Sequence, residues 1–182
     1  MAAEPVYAEP PEPAGRARPS RFLSLTFSPL HLLIPVFEAQ GEVRIAPHFA
    51  AALIGGFGNV KVEDSDPAVD GQRFSAFELG GQLVGYPLRE FDSLQLGAEV
   101  LWVHVSTDEV NGRAISADAA GVAVGPFVGY KLITRHGFTF VAQGGFQYVT
   151  ARGEASDEAG NTEQAEESQF IALVNLNIGW SF

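Results

Sequence analysis

The sequence predicts an all-β protein, an eight-stranded antiparallel up-and-down transmembrane β-barrel with a disordered N-terminal arm. Three observations support this fold class: apolar and polar residues alternate, short turns alternate with longer loops, and aromatic residues lie near predicted strand ends. The alternation is clearest in residues 169–182. The apolar face there comprises Phe170, Ala172, Val174, Leu176, Ile178, Trp180 and Phe182; the other face carries Gln169, Asn175, Asn177, Gly179 and Ser181, with Ile171 and Leu173 as exceptions. A membrane barrel directs its apolar face to lipid and its polar face to the lumen.

Length and composition limit the possible functions. The chain of 182 residues is long enough for one domain, and its net charge of −11 argues against nucleic-acid binding, which favours a basic surface. The absence of Cys excludes disulfides and thiolate metal sites. No apolar run reaches ~18 residues, which argues against a transmembrane helix. The start of the chain lacks the pattern of a signal peptide, and we expect that one was removed.

The first segment differs in composition from the rest of the chain. Residues 1–20 are rich in Pro, Ala and Glu, and they contain too few large apolar residues to form a core. We expect them to form a flexible arm, and residues 21–182 to form the barrel domain. The alternative is an arm that contacts the cell wall or a partner.

Eight segments carry the strand pattern, and most are long enough for the ~9–11 residues that cross a bilayer at a tilt. They are predicted over about residues 21–28, 34–45, 49–62, 74–88, 93–105, 119–133, 138–150 and 169–182. In the first segment, three apolar residues alternate with Ser and Thr. The second places on one face four polar side chains that an ordinary soluble core would not accommodate: Glu38, Gln40, Glu42 and Arg44.

The remaining segments repeat this division between two faces. The third is small and rich in Gly, and the fourth sets Phe and Leu residues against Glu78 and Gln82. The fifth alternates apolar residues with Gln95 and Glu99, and the sixth sets Val residues against a face of Gly, Ala and Lys131. The seventh and eighth complete the polar face with Gln143, Gln147, Asn175 and Asn177.

The connections between these segments form a second pattern. Short turns are predicted at residues 46–48, 89–92 and 134–137, and longer loops near residues 63–71, 106–118 and 151–168. The longer loops contain most of the acidic residues. Tight turns at one end and longer loops at the other are typical of outer-membrane barrels, with the turns in the periplasm. Aromatic residues, Phe91 among them, are expected to form interfacial girdles.

Residues 21–182 resemble the small eight-stranded outer-membrane barrels of the OmpA-transmembrane-domain, OmpX and OmpW-like group. The final strand is similar to that family's C-terminal assembly signal, which ends in Phe with an aromatic residue two positions earlier, here Phe182 and Trp180. The family often has Gly five residues before the end, whereas this chain has Asn177 there. The resemblance implies insertion by the outer-membrane assembly machinery, and it implies no enzymatic activity. We also expect contact with outer-membrane lipid and lipopolysaccharide, a monomer and no cofactor.

The polar face is the best candidate site, because an eight-stranded barrel encloses only enough space for side chains. We expect a polar lumen network of Glu38, Gln40, Glu42, Arg44, Glu78, Gln82, Glu99, Lys131, Gln143, Asn175 and Asn177, with Gln95 and Gln147 beside them. Buried carboxylates require partners, and the available cations are Arg44 and Lys131. Two cations against four carboxylates indicate that some carboxylates lie near water or bind a proton. The alternatives to a packed lumen are a narrow conducting channel and an ion-binding interior.

Two further motifs are weaker candidates. Acidic residues 63–70 lack the ligand spacing of a calcium loop, so a solvated loop without a metal site is predicted there. The alternative is weak divalent bridging to lipopolysaccharide phosphates. His104 and Ser106 resemble the His-x-Ser pair of lipid A deacylases of the PagL type, for which Asp108 or Asp118 would supply the carboxylate. The residues that follow Ser106 depart from that family's longer motif, and no catalytic residues are predicted.

The most favoured function is an outer-membrane protein with a structural, adhesive or surface-interaction role. A narrow pore or a transporter for small apolar solutes is the first alternative, and the lipid-modifying enzyme is the second. A soluble lipocalin-like barrel is the third, and it requires the apolar face to line the cavity. The bulk of that apolar face, which is too large for the inside of eight strands, favours the membrane.

Overall fold

The computed structural model of this protein describes residues 21–33, 35–61, 73–107, 116–156 and 162–182. The predicted arm at residues 1–20 and the acidic segment at residues 63–70 lie outside the described residues. The eight strands are β1 (Leu23–Phe27), β2 (Val36–Ala46), β3 (Phe49–Lys61), β4 (Arg73–Gly85), β5 (Ser93–Thr107), β6 (Ser116–Ile133), β7 (Phe138–Ser156) and β8 (Thr162–Ser181). A 3₁₀ turn, His31–Leu33, lies between β1 and β2. None of the described residues form a helix long and apolar enough to cross a membrane.

The strands form one closed barrel in which each strand pairs with the next along the chain and β8 pairs with β1. Every pairing is antiparallel, so the predicted eight-stranded up-and-down barrel is confirmed. The seam between β1 and β8 has the fewest paired residues, from Ser24–Ser181 to Phe27–Ile178. Backbone hydrogen bonds between Phe182 and the residues at the start of β1 extend this seam.

Several predicted loops are strands in the structure. Residues 151–168 were predicted to be the longest loop, but their described parts, 151–156 and 162–168, continue the hairpin of β7 and β8. Residues 106–107 and 116–118 likewise belong to β5 and β6. These loop predictions are wrong because charged residues do not by themselves end a strand. A hairpin that extends beyond an apolar belt can carry polar residues on both faces and still keep its backbone hydrogen bonds.

The inside of the barrel is filled rather than hollow. Phe127 projects inward from β6, and the position facing it on β5 is Gly97. A Cβ atom at Gly97 would lie only 2.8 Å from Cε1 of the Phe127 ring and 2.5 Å from the Leu83 carbonyl oxygen. Glycine at this position therefore makes the space for a large ring inside a narrow lumen.

The turn end of the barrel is closed by two aromatic rings. Tyr86 and Phe91 are buried, with ring centroids 5.9 Å apart. Phe91 has a φ of +60°, in the left-handed region that side chains other than Gly rarely adopt. The prediction that Phe91 belongs to an interfacial girdle was wrong. This backbone conformation accompanies a ring that is buried in the lumen, where it packs beneath Tyr86 and Lys131.

Candidate functional site

The alternation of the strands places one continuous set of polar side chains in the lumen. Of the residues singled out from the sequence, ten are buried there: Glu38, Gln40, Glu42, Glu78, Gln82, Gln95, Glu99, Lys131, Gln143 and Asn177. Gln147 is also buried, and Asn175 is partly buried. These side chains form three groups along the barrel axis, which we call the central layer, the turn-end cluster and the loop-end cluster.

The central layer is a set of amide side chains that crosses the lumen. Gln40 on β2 donates to Oε1 of Gln82 on β4 over 3.0 Å, and it accepts from Nδ2 of Asn177 on β8 over 2.8 Å. Gln82 in turn donates to Oε1 of Gln143 on β7 over 3.2 Å. None of the linked strands are neighbours in the barrel, so these hydrogen bonds run through the lumen rather than along its wall.

The carboxylate of Glu99 is surrounded by amide donors of this layer. Nε2 of Gln82 donates to Oε2 over 2.5 Å, and Nδ2 of Asn175 donates to the same oxygen over 3.3 Å. Nε2 of Gln147 donates to Oε1 over 2.6 Å. A buried carboxylate is tolerated when its oxygens accept such hydrogen bonds, and here three amides replace a cation.

The turn-end cluster contains the buried ion pair. Lys131 Nζ lies 2.7 Å from Oε2 of Glu42, and Tyr86 donates its hydroxyl to the other carboxylate oxygen. Gln95 donates to that hydroxyl oxygen over 2.9 Å. The ammonium group of Lys131 lies 3.5 Å from the centroid of the Phe91 ring, a favourable cation–π distance.

Arg44 does not join the buried network. Its guanidinium lies 3.2 Å from the carboxylate of Glu90, at the rim of the turn end, where both side chains are partly exposed. Lys131 is therefore the one Lys or Arg side chain buried among the described residues, and Glu42 is its partner. The expectation of two lumen cations was wrong for Arg44, because its place at the end of β2 brings it to the rim.

The loop-end cluster consists of His31, Glu38 and Glu78. His31 Nε2 lies 3.6 Å from Oε2 of Glu38, and ligand atoms of all three side chains lie within 4.8 Å of one another. His31 Nδ1 lies 2.8 Å from the Ser28 hydroxyl. Burial lowers the pKa of His31, because the surrounding protein disfavours the charged imidazolium.

The sequence did not identify His31 or a set of three small hydroxyl residues at the seam as site residues. His31 lies in a connection, where strand alternation gives no signal. The Ser24 and Ser181 hydroxyl oxygens lie 2.6 Å apart across the seam, and Thr139 lies 2.5 Å from Ser181. The alternation of the strands places the side chains of Ser24, Thr139 and Ser181 on the lumen face, and this position could have identified them. Small hydroxyl residues on that face require hydrogen-bond partners when they are buried.

The residues compared with a deacylase lie outside the barrel. His104 stacks on Trp102 with ring planes 12° apart, and its Nε2 lies 3.8 Å from Oδ1 of Asp118. Ser106 is paired with Asp118 across β5 and β6. Within the described residues, no hydrogen bond joins Ser106 to His104, although an activated serine requires one. Asp108 lies outside the described residues.

The residues of the predicted assembly signal lie beside the seam. Trp180 points outward and packs edge-on against Phe138, with ring centroids 6.3 Å apart. Phe182 is exposed, and its backbone N–H donates to the Leu23 carbonyl over 2.8 Å. The backbone of Phe182 thus contributes to barrel closure, while its side chain remains available on the outer surface.

Similarity to known proteins is confined to the fold. No protein-family model matches the chain, and no curated protein matches it in sequence. The structure is similar to the crystal structure of a major outer membrane protein from Thermus thermophilus, with a TM-score of 0.54 and 13% identity; the match covers 89% of this chain and 98% of that chain. The predicted resemblance to outer-membrane barrels is thereby confirmed at the level of the fold.

Proposed function

We propose that this protein is an outer-membrane β-barrel with a structural or surface-interaction role and a lumen closed by its own side chains. The apolar outer surface carries this proposal. Each of the eight strands contributes exposed apolar side chains to it, among them Leu25, Val43, Leu53, Leu83, Val100, Val124, Phe146 and Val174. Single exposed apolar residues are ordinary on a soluble protein, whereas a belt around the whole barrel is suited to lipid.

The distribution of charge along the barrel supports the same placement. The ion pair of Arg44 and Glu90 marks the turn end, and the ion pair of Arg152 and Glu166 marks the loop end of the outer surface. The apolar belt lies between these two levels. A lipocalin-like barrel would have the opposite arrangement, with apolar side chains around a cavity and polar side chains in water.

The central layer supports a structural role over transport. Hydrogen bonds of Gln40, Gln82 and Gln143 cross the lumen, and Phe127 fills the space above Gly97. An open pore requires a continuous water path, and these side chains occupy that path. We therefore expect contacts with lipid, lipopolysaccharide or other surface molecules to occur outside the barrel rather than through it.

Three measurements test the proposal. The protein should be recovered in the outer-membrane fraction, and it should migrate differently in SDS gels before and after boiling, because a folded barrel resists cold SDS. Recovery in the soluble fraction without detergent would contradict the membrane assignment. In planar bilayers the inserted barrel should give no discrete conductance steps, whereas regular steps would support the narrow pore or transporter instead.

We also propose that the barrel has no enzymatic activity. The lipid A deacylase hypothesis depends on His104 activating Ser106, and the ring of His104 instead stacks on Trp102. Lipid A from cells that express the protein should keep all its acyl chains. Loss of an acyl chain that is abolished by Ser106→Ala would contradict this proposal.

A further inference from the structure

Three side chains with metal-ligating atoms meet at the loop end of the lumen. His31 comes from the 3₁₀ turn, Glu38 from β2 and Glu78 from β4. Each offers one ligand atom, and these atoms all lie within 4.8 Å of one another. One imidazole nitrogen and two carboxylate oxygens are a ligand set that transition metals bind in proteins.

An unsatisfied atom points independently to a missing ligand. Oε1 of Glu78 is buried and has no hydrogen-bond partner among the described residues, although the residue is only 8% exposed. Leaving a buried carboxylate oxygen without a partner is costly. The carboxyl group of Glu78 lies over Gly56, since a Cβ atom there would lie 2.7 Å from Glu78 Cδ.

The charge balance of the lumen points the same way. Glu38 and Glu78 bring carboxylate oxygens within 4.8 Å of each other, and two ionised carboxylates so close repel each other. Lys131, the one Lys or Arg side chain buried in the described lumen, is paired with Glu42 in the turn-end cluster. A divalent cation would supply the positive charge that the loop-end cluster lacks.

The hydrogen bonds of His31 prepare its imidazole for this role. Nδ1 lies 2.8 Å from the Ser28 hydroxyl, so a proton on Nδ1 leaves the lone pair of Nε2 directed toward Glu38. Metal-binding histidines commonly have their second nitrogen fixed in this way.

We propose that His31, Glu38 and Glu78 form a binding site for a divalent transition-metal ion, for which Zn²⁺ is the best fit. Zn²⁺ accepts mixed nitrogen and oxygen ligands in tetrahedral sites, and a water molecule would complete the coordination. Ligand atoms around tetrahedral Zn²⁺ are about 3.3 Å apart. The ligand atoms of His31, Glu38 and Glu78 lie within 4.8 Å of one another, so they would have to move closer by at most about 1.5 Å.

The location of the site indicates what the metal does. His31 is the partly exposed member, so an ion reaches the site from the loop end. Coordination would tie the connection between β1 and β2 to the wall formed by β4. The bound ion would thus stabilise the mouth of the barrel. The three ligands come together in the folded barrel whether it lies in lipid or in detergent, so the site is tested independently of the membrane assignment.

Titration of the tag-free, chelator-treated barrel in detergent with Zn²⁺ tests the site. We expect one Zn²⁺ per chain by calorimetry, with binding roughly 100-fold weaker or lost in His31→Ala and in Glu78→Gln. His104→Ala is the matched control, because it removes an exposed histidine that also lies beside a carboxylate, Asp118. This control should bind Zn²⁺ as the wild type does.

A further readout separates metal binding from a purely structural cluster. Zn²⁺ should raise the melting temperature of the wild type and of His104→Ala but not of Glu78→Gln, in which an amide replaces the carboxyl group. Absence of binding at micromolar Zn²⁺, or wild-type binding by both His31→Ala and Glu78→Gln, would overturn the proposal.

Discussion

Lys131 donates a hydrogen bond from Nζ to Oε2 of Glu42 over 2.7 Å, and the side chains are 0% and 3% exposed. The two residues are 89 positions apart in the sequence and project into the lumen from β6 and β2. An intact buried ion pair adds little net stability, but removal of one partner leaves a charge without compensation. The packing of the turn end therefore depends on this pair remaining complete.

Substitution of the cation tests this dependence. Lys131→Met should lower the free energy of unfolding by about 3–5 kcal/mol, because Glu42 is left buried without its cation. Urea unfolding of the barrel refolded into lipid vesicles, followed by tryptophan fluorescence, measures the change. Arg152→Met is the control, since Arg152 forms an exposed ion pair with Glu166 over 3.4 Å and should cost less than about 1 kcal/mol. Equal losses in the two variants would contradict an ion-paired lumen.

The contact between Gly97 and Phe127 gives a second test. Gly97→Ala should lower the free energy of unfolding by about 1–3 kcal/mol, because the added methyl group meets the Phe127 ring and the Leu83 carbonyl. Gly55→Ala is the control, since nothing lies within 4 Å of a Cβ atom at Gly55. The control should unfold within about 0.5 kcal/mol of the wild type. The same urea measurement applies, and an unaffected Gly97→Ala variant would mean that the lumen is loosely packed.

The sequence predicts the strands and their faces because the pleat imposes a period of two on any strand with one apolar side. It cannot predict which lumen side chains meet, because partners are set by the height of each residue along the barrel axis. Asn177 and Gln40 are 137 residues apart and yet are hydrogen-bonded. Arg44 has the inward parity of its strand, but its height brings it to Glu90 at the rim.

The loop-end cluster illustrates a different limit of sequence reasoning. Glu38 and Glu78 are predicted lumen residues, whereas His31 lies in a connection whose path depends on the closed barrel. The predicted loop at residues 151–168 failed for a related reason. A polar composition identifies residues that lie outside the apolar belt of the barrel, but it does not show where a strand ends. The backbone hydrogen bonds between β7 and β8 continue beyond that belt.

Acid should weaken the barrel through His31. Burial lowers the pKa of His31 below 6.5, so folding favours the neutral imidazole. The stability that this provides is fully present above pH 6.5 and is lost as the pH falls through the lowered pKa of the folded state. With chelator present, the free energy of unfolding of the wild type should therefore fall more steeply with acidification than that of His31→Gln.

The wild type and His31→Gln have the same polar side chains around position 31, so the two proteins differ only in the imidazole. Ser28 contacts Nδ1, and Glu38 lies 3.6 Å from Nε2. Above pH 6.5 the unfolding free energies of the wild type and His31→Gln should run parallel. Parallel curves over the whole range, or a steeper fall in His31→Gln, would mean that burial does not control the protonation of this histidine.

A charge on the apolar outer belt tests the membrane placement. Leu53 on β3 points outward and is 66% exposed. Leu53→Arg should destabilise the vesicle-inserted barrel by about 2–4 kcal/mol, the cost of Arg at a bilayer midplane. Ser168→Arg places the same charge on the outer face of β8 beyond Phe170, where the cost should be below about 1 kcal/mol. Equal effects at the two positions would place both outside lipid.

The C-terminal residue separates folding from delivery to the membrane. Phe182 closes the seam through its backbone N–H and carbonyl, and its side chain is exposed. Phe182→Ala keeps the backbone bonds, so the purified variant should refold into vesicles with nearly wild-type stability. In cells, however, its level in the outer membrane should fall if, as the resemblance to outer-membrane barrels implies, their assembly machinery recognises the aromatic side chain. Phe170→Ala removes an exposed ring from the same strand and should leave the outer-membrane level unchanged. If Phe182→Ala instead reaches the membrane normally but unfolds more easily in vitro, the residue acts in closure of the barrel and not as an assembly signal.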